Sequence, residues 1–123
     1  MAEIGVGNMY DMCKIETLQK QPMNPEDYRK ELVNVGSWFS SNLGTQYYML
    51  LNNELHDYTV FNFINYNFAK AVDELEEVLN SRGAVYGIDF NHDNNYFEFW
   101  IVSGDEAHMY ILFPCNEFVI DIR

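Results

Sequence analysis

The last third of the chain leaves little freedom of topology. Between residues 84 and 123 lie four apolar segments, VYGIDF, YFEFWIVS, HMYILF and EFVIDI, separated only by NHDNN, GDEA and PCN. A parallel neighbour needs a crossover of a dozen or more residues, so connectors this short predict antiparallel strands. Residues 84–123 therefore read as a four-stranded meander, with Gly87 the one break in the β pattern.

Upstream, Asn24-Pro25-Glu26-Asp27 has the chemistry of a helix start. Asn caps orphan N–H groups, Pro suits the first helical position, and carboxylates favour the positive end of the dipole. Tyr28, Leu32, Val35, Phe39 and Leu43 then follow helical spacing on one face, and Gly44 stands where a left-handed C-cap belongs. Gly36, inside this helix, costs about 1 kcal/mol relative to Ala, which points to close packing or a bend.

Two β-prone segments, Tyr47 to Leu51 and Tyr58 to Ile64, flank the polar NNELHD and predict a hairpin. A second helix is expected from about Asn67 to Gly83, with Phe68, Ala71, Val72, Leu75, Val78 and Leu79 on its apolar face. Before Asn24, Met9, Met12 and Ile15 suggest a short helix that Pro22 ends. The expected whole is a single α+β domain over residues 1–123: a hairpin plus a four-stranded meander in one antiparallel sheet, with two main helices packed on one side.

Composition removes several classes. A chain of 123 residues that is 48% apolar can bury a core and does not read as a disordered tail. No apolar run approaches the roughly 18 residues of a membrane span. Glu3 stands where a secretory signal would carry Lys or Arg, and Ala2 replaces the Gly that myristoylation needs. The expected setting is cytoplasmic, with Cys13 and Cys115 as reduced thiols.

Charge is the strongest functional signal. The formal net charge is −12, from nineteen acidic and seven basic side chains. Residues 1–30 hold five acids and four bases, whereas residues 31–123 hold fourteen acids against Lys70, Arg82 and Arg123. Such a balance argues against direct binding of nucleic acid or anionic lipid, both of which attract cations. The apolar stripe of the second helix turns Asp73, Glu74, Glu76 and Glu77 outward, and Asp93, Asp105 and Glu106 sit at connectors. One reading is a solvated coat that keeps an aromatic-rich protein soluble. The other is a docking patch for a basic groove, where Arg and Lys pair with carboxylates as they do with phosphate oxygens.

Signals for catalysis are weaker. Asp89, Asn91, Asp93 and Asn95 imitate the start of a calcium loop, but Asn94 occupies the Gly position and Trp100 that of the bidentate Glu. A polar hairpin turn, where Asn and Asp tolerate left-handed backbone angles, is the favoured reading of that stretch. His56, His92 and His108 each have an acid nearby, yet zinc or proton-transfer chemistry would need them to converge and no H-E-x-x-H or C-x-x-C spacing occurs. Neither cysteine lies in a nucleophile signature, and Gly5-Val-Gly7 does not follow a strand as a phosphate loop would. No cofactor is expected. The YFEFWIVS segment alternates Phe97, Phe99 and Ile101 with Tyr96, Glu98, Trp100 and Val102, so both faces are partly apolar. Either one face packs on the helices and the other is a contact surface, or the strand is central and covered on both sides; the second reading is favoured.

The stretch YYMLLNNELHDYTVFNF followed by an acidic helix resembles small proteins of phages and mobile elements in Gram-positive bacteria. In size, acidity and α+β pattern the chain is similar to anti-CRISPR proteins. The resemblance implies a non-enzymatic inhibitor occupying the basic nucleic-acid-binding surface of a bacterial defence nuclease, with a Cas9-type effector as the first candidate. The expected contact residues are Asp73, Glu74, Glu76, Glu77, Asp93, Asp105 and Glu106. Two alternatives stand beside it: an immunity protein for a nuclease toxin, and a metal-dependent enzyme using His56, His92 and His108.

Overall fold

The computed structural model describes residues 21–41, 47–63 and 67–115. The chain forms helix α1 (Pro25–Ser41), strands β1 (Tyr47–Asn52) and β2 (Asp57–Asn62), and helix α2 (Phe68–Arg82). Strands β3 (Ala84–Asn91), β4 (Tyr96–Ser103) and β5 (Glu106–Cys115) follow. The five strands make one antiparallel sheet in the order β2-β1-β5-β4-β3. This is an α+β fold, and pairing of β1 with β5 joins the hairpin to the meander.

Both helices begin as their local chemistry dictates. Asn24 Oδ1 accepts the Asp27 N–H at 2.9 Å, and Asn67 Oδ1 accepts the Lys70 N–H at 2.8 Å. Gly83 closes α2 at φ 150°, its N–H reaching Leu79 O. A Cβ there would stand 2.4 Å from the Val102 carbonyl oxygen, so no other residue fits. The predicted continuation of α1 to Leu43 and Gly44 lies outside the described residues.

The helices run antiparallel across one face of the sheet. Tyr28 of α1 meets Asn80 of α2, while Gly36 lies against Val72 and Phe68. A Cβ on Gly36 would come within 2.6 Å of Val72 Cγ2, which explains a glycine in mid-helix. Leu32, Val35 and Phe39 from α1 and Val72, Leu75 and Leu79 from α2 pack on Tyr48, Leu50, Phe61, Phe97, Phe99, Ile101, Tyr110 and Leu112 of the sheet. Burial of each large apolar side chain contributes about 1.5–3 kcal/mol.

Two expectations need correction. Phe68, assigned to the apolar face of α2, is 41% exposed because it opens the helix and overhangs the crossing at Gly36. Pro114 and Cys115, taken as part of a connector, continue β5, where Pro114 pairs with Tyr48. That position lies past Leu112, the last β5 residue paired with β4, so one side of the strand has no ladder there to lose. The meander contributes three strands among the described residues, and the segment EFVIDI lies outside them.

Strand β4 buries side chains on both faces. Phe99 and Ile101 face the helices, whereas Trp100 points to the opposite face and is also 0% exposed. Around Trp100 lie Ala107, Tyr86, Val102 and Met109, so the second face is apolar as well.

Candidate partner-binding surface

The strand directions give the sheet two distinct ends. The β1–β2 turn, the β4–β5 turn and the C-terminus of α2 share one end, and the β3–β4 turn lies at the other. An eight-residue strand separates these ends by roughly 26 Å. Asp105 and Glu106 therefore stand at the α2 C-terminal end, while Asp93 stands at the opposite one.

Along α2, Asp73 and Glu77 are exposed, but Glu74 and Glu76 are half-buried rather than fully outward. For Glu76 the reason is the neighbouring helix. Arg29 of α1 places Nη1 2.8 Å from Glu76 Oε1 and Nη2 3.3 Å from Asp73 Oδ1. This clasp holds two of the four helix carboxylates against a cation of the same chain. Beside it, the Tyr28 hydroxyl donates to Asn80 Oδ1 at 3.2 Å. Burial, with the nearby Glu76 charge adding to it, raises the Tyr28 pKa to about 12.

At the α2 C-terminal end, Leu55, Asp57, Ser81, Arg82, Glu106, His108 and Tyr110 are among the residues lining a pocket of about 410 Å³. Arg82 Nε lies 3.0 Å from Asp57 Oδ2, and its Nη2 donates to Thr59 Oγ1. The Tyr110 hydroxyl donates to the same Asp57 oxygen at 2.7 Å. Burial, followed by that bond and the Asp57 charge, raises the Tyr110 pKa to about 12. Glu106 Oε1 sits 3.1 Å from His108 Nε2.

A second concavity, of about 480 Å³, opens between α1 and β3 near the other end. Glu31, Asn34, Ser37, Trp38 and Ser41 form its helix side, with Ile88, Asp89, Phe90, His92 and Phe97 opposite. Asp93 follows His92 in the adjoining turn. Sequence reasoning missed this cleft, although Glu31, Asn34, Trp38 and Ser41 repeat at helical spacing beside the core stripe.

The seven predicted contact residues thus fall in three places: the α2 surface, the β4–β5 turn and the β3–β4 turn. Glu74, Glu77, Asp93 and Asp105 meet no Lys or Arg among the described residues. Among the described residues Arg29 and Arg82 are committed to carboxylates.

Histidine placement bears on the metal reading. His56 lies in the β1–β2 turn and His108 on β5 near the same end, but His92 belongs to the opposite end. Among the described residues no three His, Cys, Asp or Glu side chains are placed to hold a metal ion. The calcium-like stretch is a hairpin turn: Asn91 Oδ1 accepts the Asn94 N–H at 2.9 Å, and Asn95 takes φ 62°. Asn52 and His56 repeat that design in the other hairpin, with Leu55 N–H on Asn52 Oδ1 and His56 at φ 55°.

No protein-family model, curated protein or solved structure matches this chain. Among the described residues no helix is long and apolar enough to cross a membrane.

Proposed function

We propose that this protein is a non-enzymatic acidic inhibitor, acting on a basic nucleic-acid-handling protein of a bacterial defence system. The nuclease of a Cas9-type effector is the first target to try. The observation that carries the reading is the use of the cations: Arg29 and Arg82 are paired within the chain, while Glu77, Asp93 and Asp105 are exposed without a Lys or Arg partner among the described residues. Like charges left together raise the energy of the folded state, and a basic groove relieves that cost on binding. Carboxylates on a rigid scaffold pair with the Arg and Lys side chains that otherwise hold phosphates. The same field steers encounter, so association is fast and falls with salt.

The test is a DNA-cleavage assay with order of addition. Protein added to the guide-loaded nuclease before target DNA blocks cleavage, and protein added after DNA does not. Reversing Glu74, Glu77, Asp93 and Asp105 together to Lys slows association and flattens its salt dependence. Inhibition that survives this fourfold reversal would refute the electrostatic basis.

A further inference from the structure

The cleft between α1 and β3 combines an aromatic wall with a row of oxygen acceptors. Trp38 and Phe97 meet edge-on with ring centroids 5.1 Å apart, and Phe90 and Phe97 do so at 4.9 Å. His92 lies edge-on to Phe90 at 4.8 Å. Beside Trp38, α1 offers the Glu31 carboxylate, the Asn34 amide and the Ser37 hydroxyl. Among the described residues neither Lys nor Arg lines the space.

We propose that this cleft receives an arginine side chain of a protein partner, with the guanidinium against Trp38 and paired to Glu31. The inference rests on the reading that the partner is basic, and names the residue it inserts. Three ligand chemistries can be compared. A phosphate would meet the Glu31 carboxylate and be repelled. A purely apolar side chain would satisfy the rings but strip water from Glu31 without replacing it. A guanidinium satisfies both walls: it is planar, weakly hydrated and attracted to aromatic rings, and its fork matches a carboxylate. Lysine is poorer on each count, because its ammonium is a compact and strongly hydrated charge. The cleft adjoins the turn that carries Asp93, so an inserted arginine brings neighbouring basic residues to an unpaired acid.

The test uses the full-length, 15N-labelled protein and needs no natural partner. A tri-arginine peptide is titrated in two-dimensional 1H–15N spectra, in parallel with tri-citrulline, tri-lysine and spermidine. The Trp38 indole signal is assigned with Trp38→Phe. Expected are shifts confined to Glu31, Trp38 and residues 88–92, strongest with arginine and absent with citrulline. Glu31→Gln weakens the response about tenfold. So does Ser37→Arg, which sets a resident guanidinium at the rim. Both positions lie off the core, and unchanged spectra elsewhere verify folding. The proposal is overturned by shifts spread equally over Glu77 and Asp105, by an equal response to citrulline or spermidine, or by no response. Localised arginine binding without nuclease inhibition removes the nuclease reading and keeps the cleft. Salt-sensitive inhibition with a silent cleft does the reverse.

Discussion

Tyr110 on β5 and Asp57 at the start of β2 are joined by a 2.7 Å hydrogen bond, although β1 lies between their strands in the sheet. The same Asp57 oxygen lies 3.0 Å from Arg82 Nε at the end of α2. One carboxylate thus ties together the hairpin, the meander and the second helix. Tyr110→Phe removes a bond to a charged acceptor in a largely buried setting. It should lower unfolding free energy by about 1.5–3 kcal/mol in urea denaturation. Asp57→Asn should cost more than Tyr110→Phe, because it leaves the Arg82 charge uncompensated in a part-buried site.

The tyrosines predict a late alkaline transition. Burial comes first among the causes that raise Tyr28, Tyr48 and Tyr110 to about 12. A tyrosine whose pKa is higher folded than unfolded stabilises the fold below its unfolded pKa of about 10, and that contribution is lost as pH rises toward 12. Absorbance at 295 nm should therefore show a tyrosine phase near pH 12, together with loss of far-UV signal. Ionisation of these three near pH 10, in a still-folded protein, would contradict this placement.

Substitution of Gly36 tests the helix crossing. Alanine improves helix propensity by about 1 kcal/mol but drives its methyl group into Val72, whose branched side chain has little freedom in a helix. Overpacking of this kind costs about 1–3 kcal/mol, so the net effect should be a loss of up to about 2 kcal/mol. Gly36→Val should lose more, measured by the midpoint of thermal unfolding.

Arg29 offers a separation of stability from binding. Its ion pairs to Asp73 and Glu76 are solvent-exposed, with the Arg29 side chain 47% accessible, so Arg29→Gln should change stability by no more than about 1 kcal/mol. If the proposed function holds, the same substitution frees two carboxylates and accelerates association with a basic partner. An increase of about two- to threefold in the on-rate at low salt, fading at high salt, is the expected outcome in stopped-flow mixing.

The fold was largely legible because its signals are local. Asn24, Pro25 and Gly83 mark helix ends by their own backbone chemistry, and the polar turns at Asn52–Asp57 and Asn91–Tyr96 follow from side chains that bond their own loops. The alternation of Phe97, Phe99 and Ile101 with Trp100 marked β4 as a strand with apolar residues on both faces, and Trp100 is buried on the second of them. The site was less legible. Spacing on α2 turned Asp73, Glu74, Glu76 and Glu77 outward as a set, because helical periodicity carries no information about the helix alongside.

By itself, then, the order of residues determined the elements, their antiparallel sense, the capping residues and the excess of negative charge, since each depends on neighbours a few positions apart. Tertiary structure decided which charges remain available and where concavities open. Arg29 reaches Asp73 and Glu76, separated from it by 44 and 47 positions, and Trp38 meets Phe90 and Phe97 across the gap between helix and sheet. Coulomb attraction and ring packing act through distance in space, and only the crossing of α1 over α2 and the sheet sets those distances.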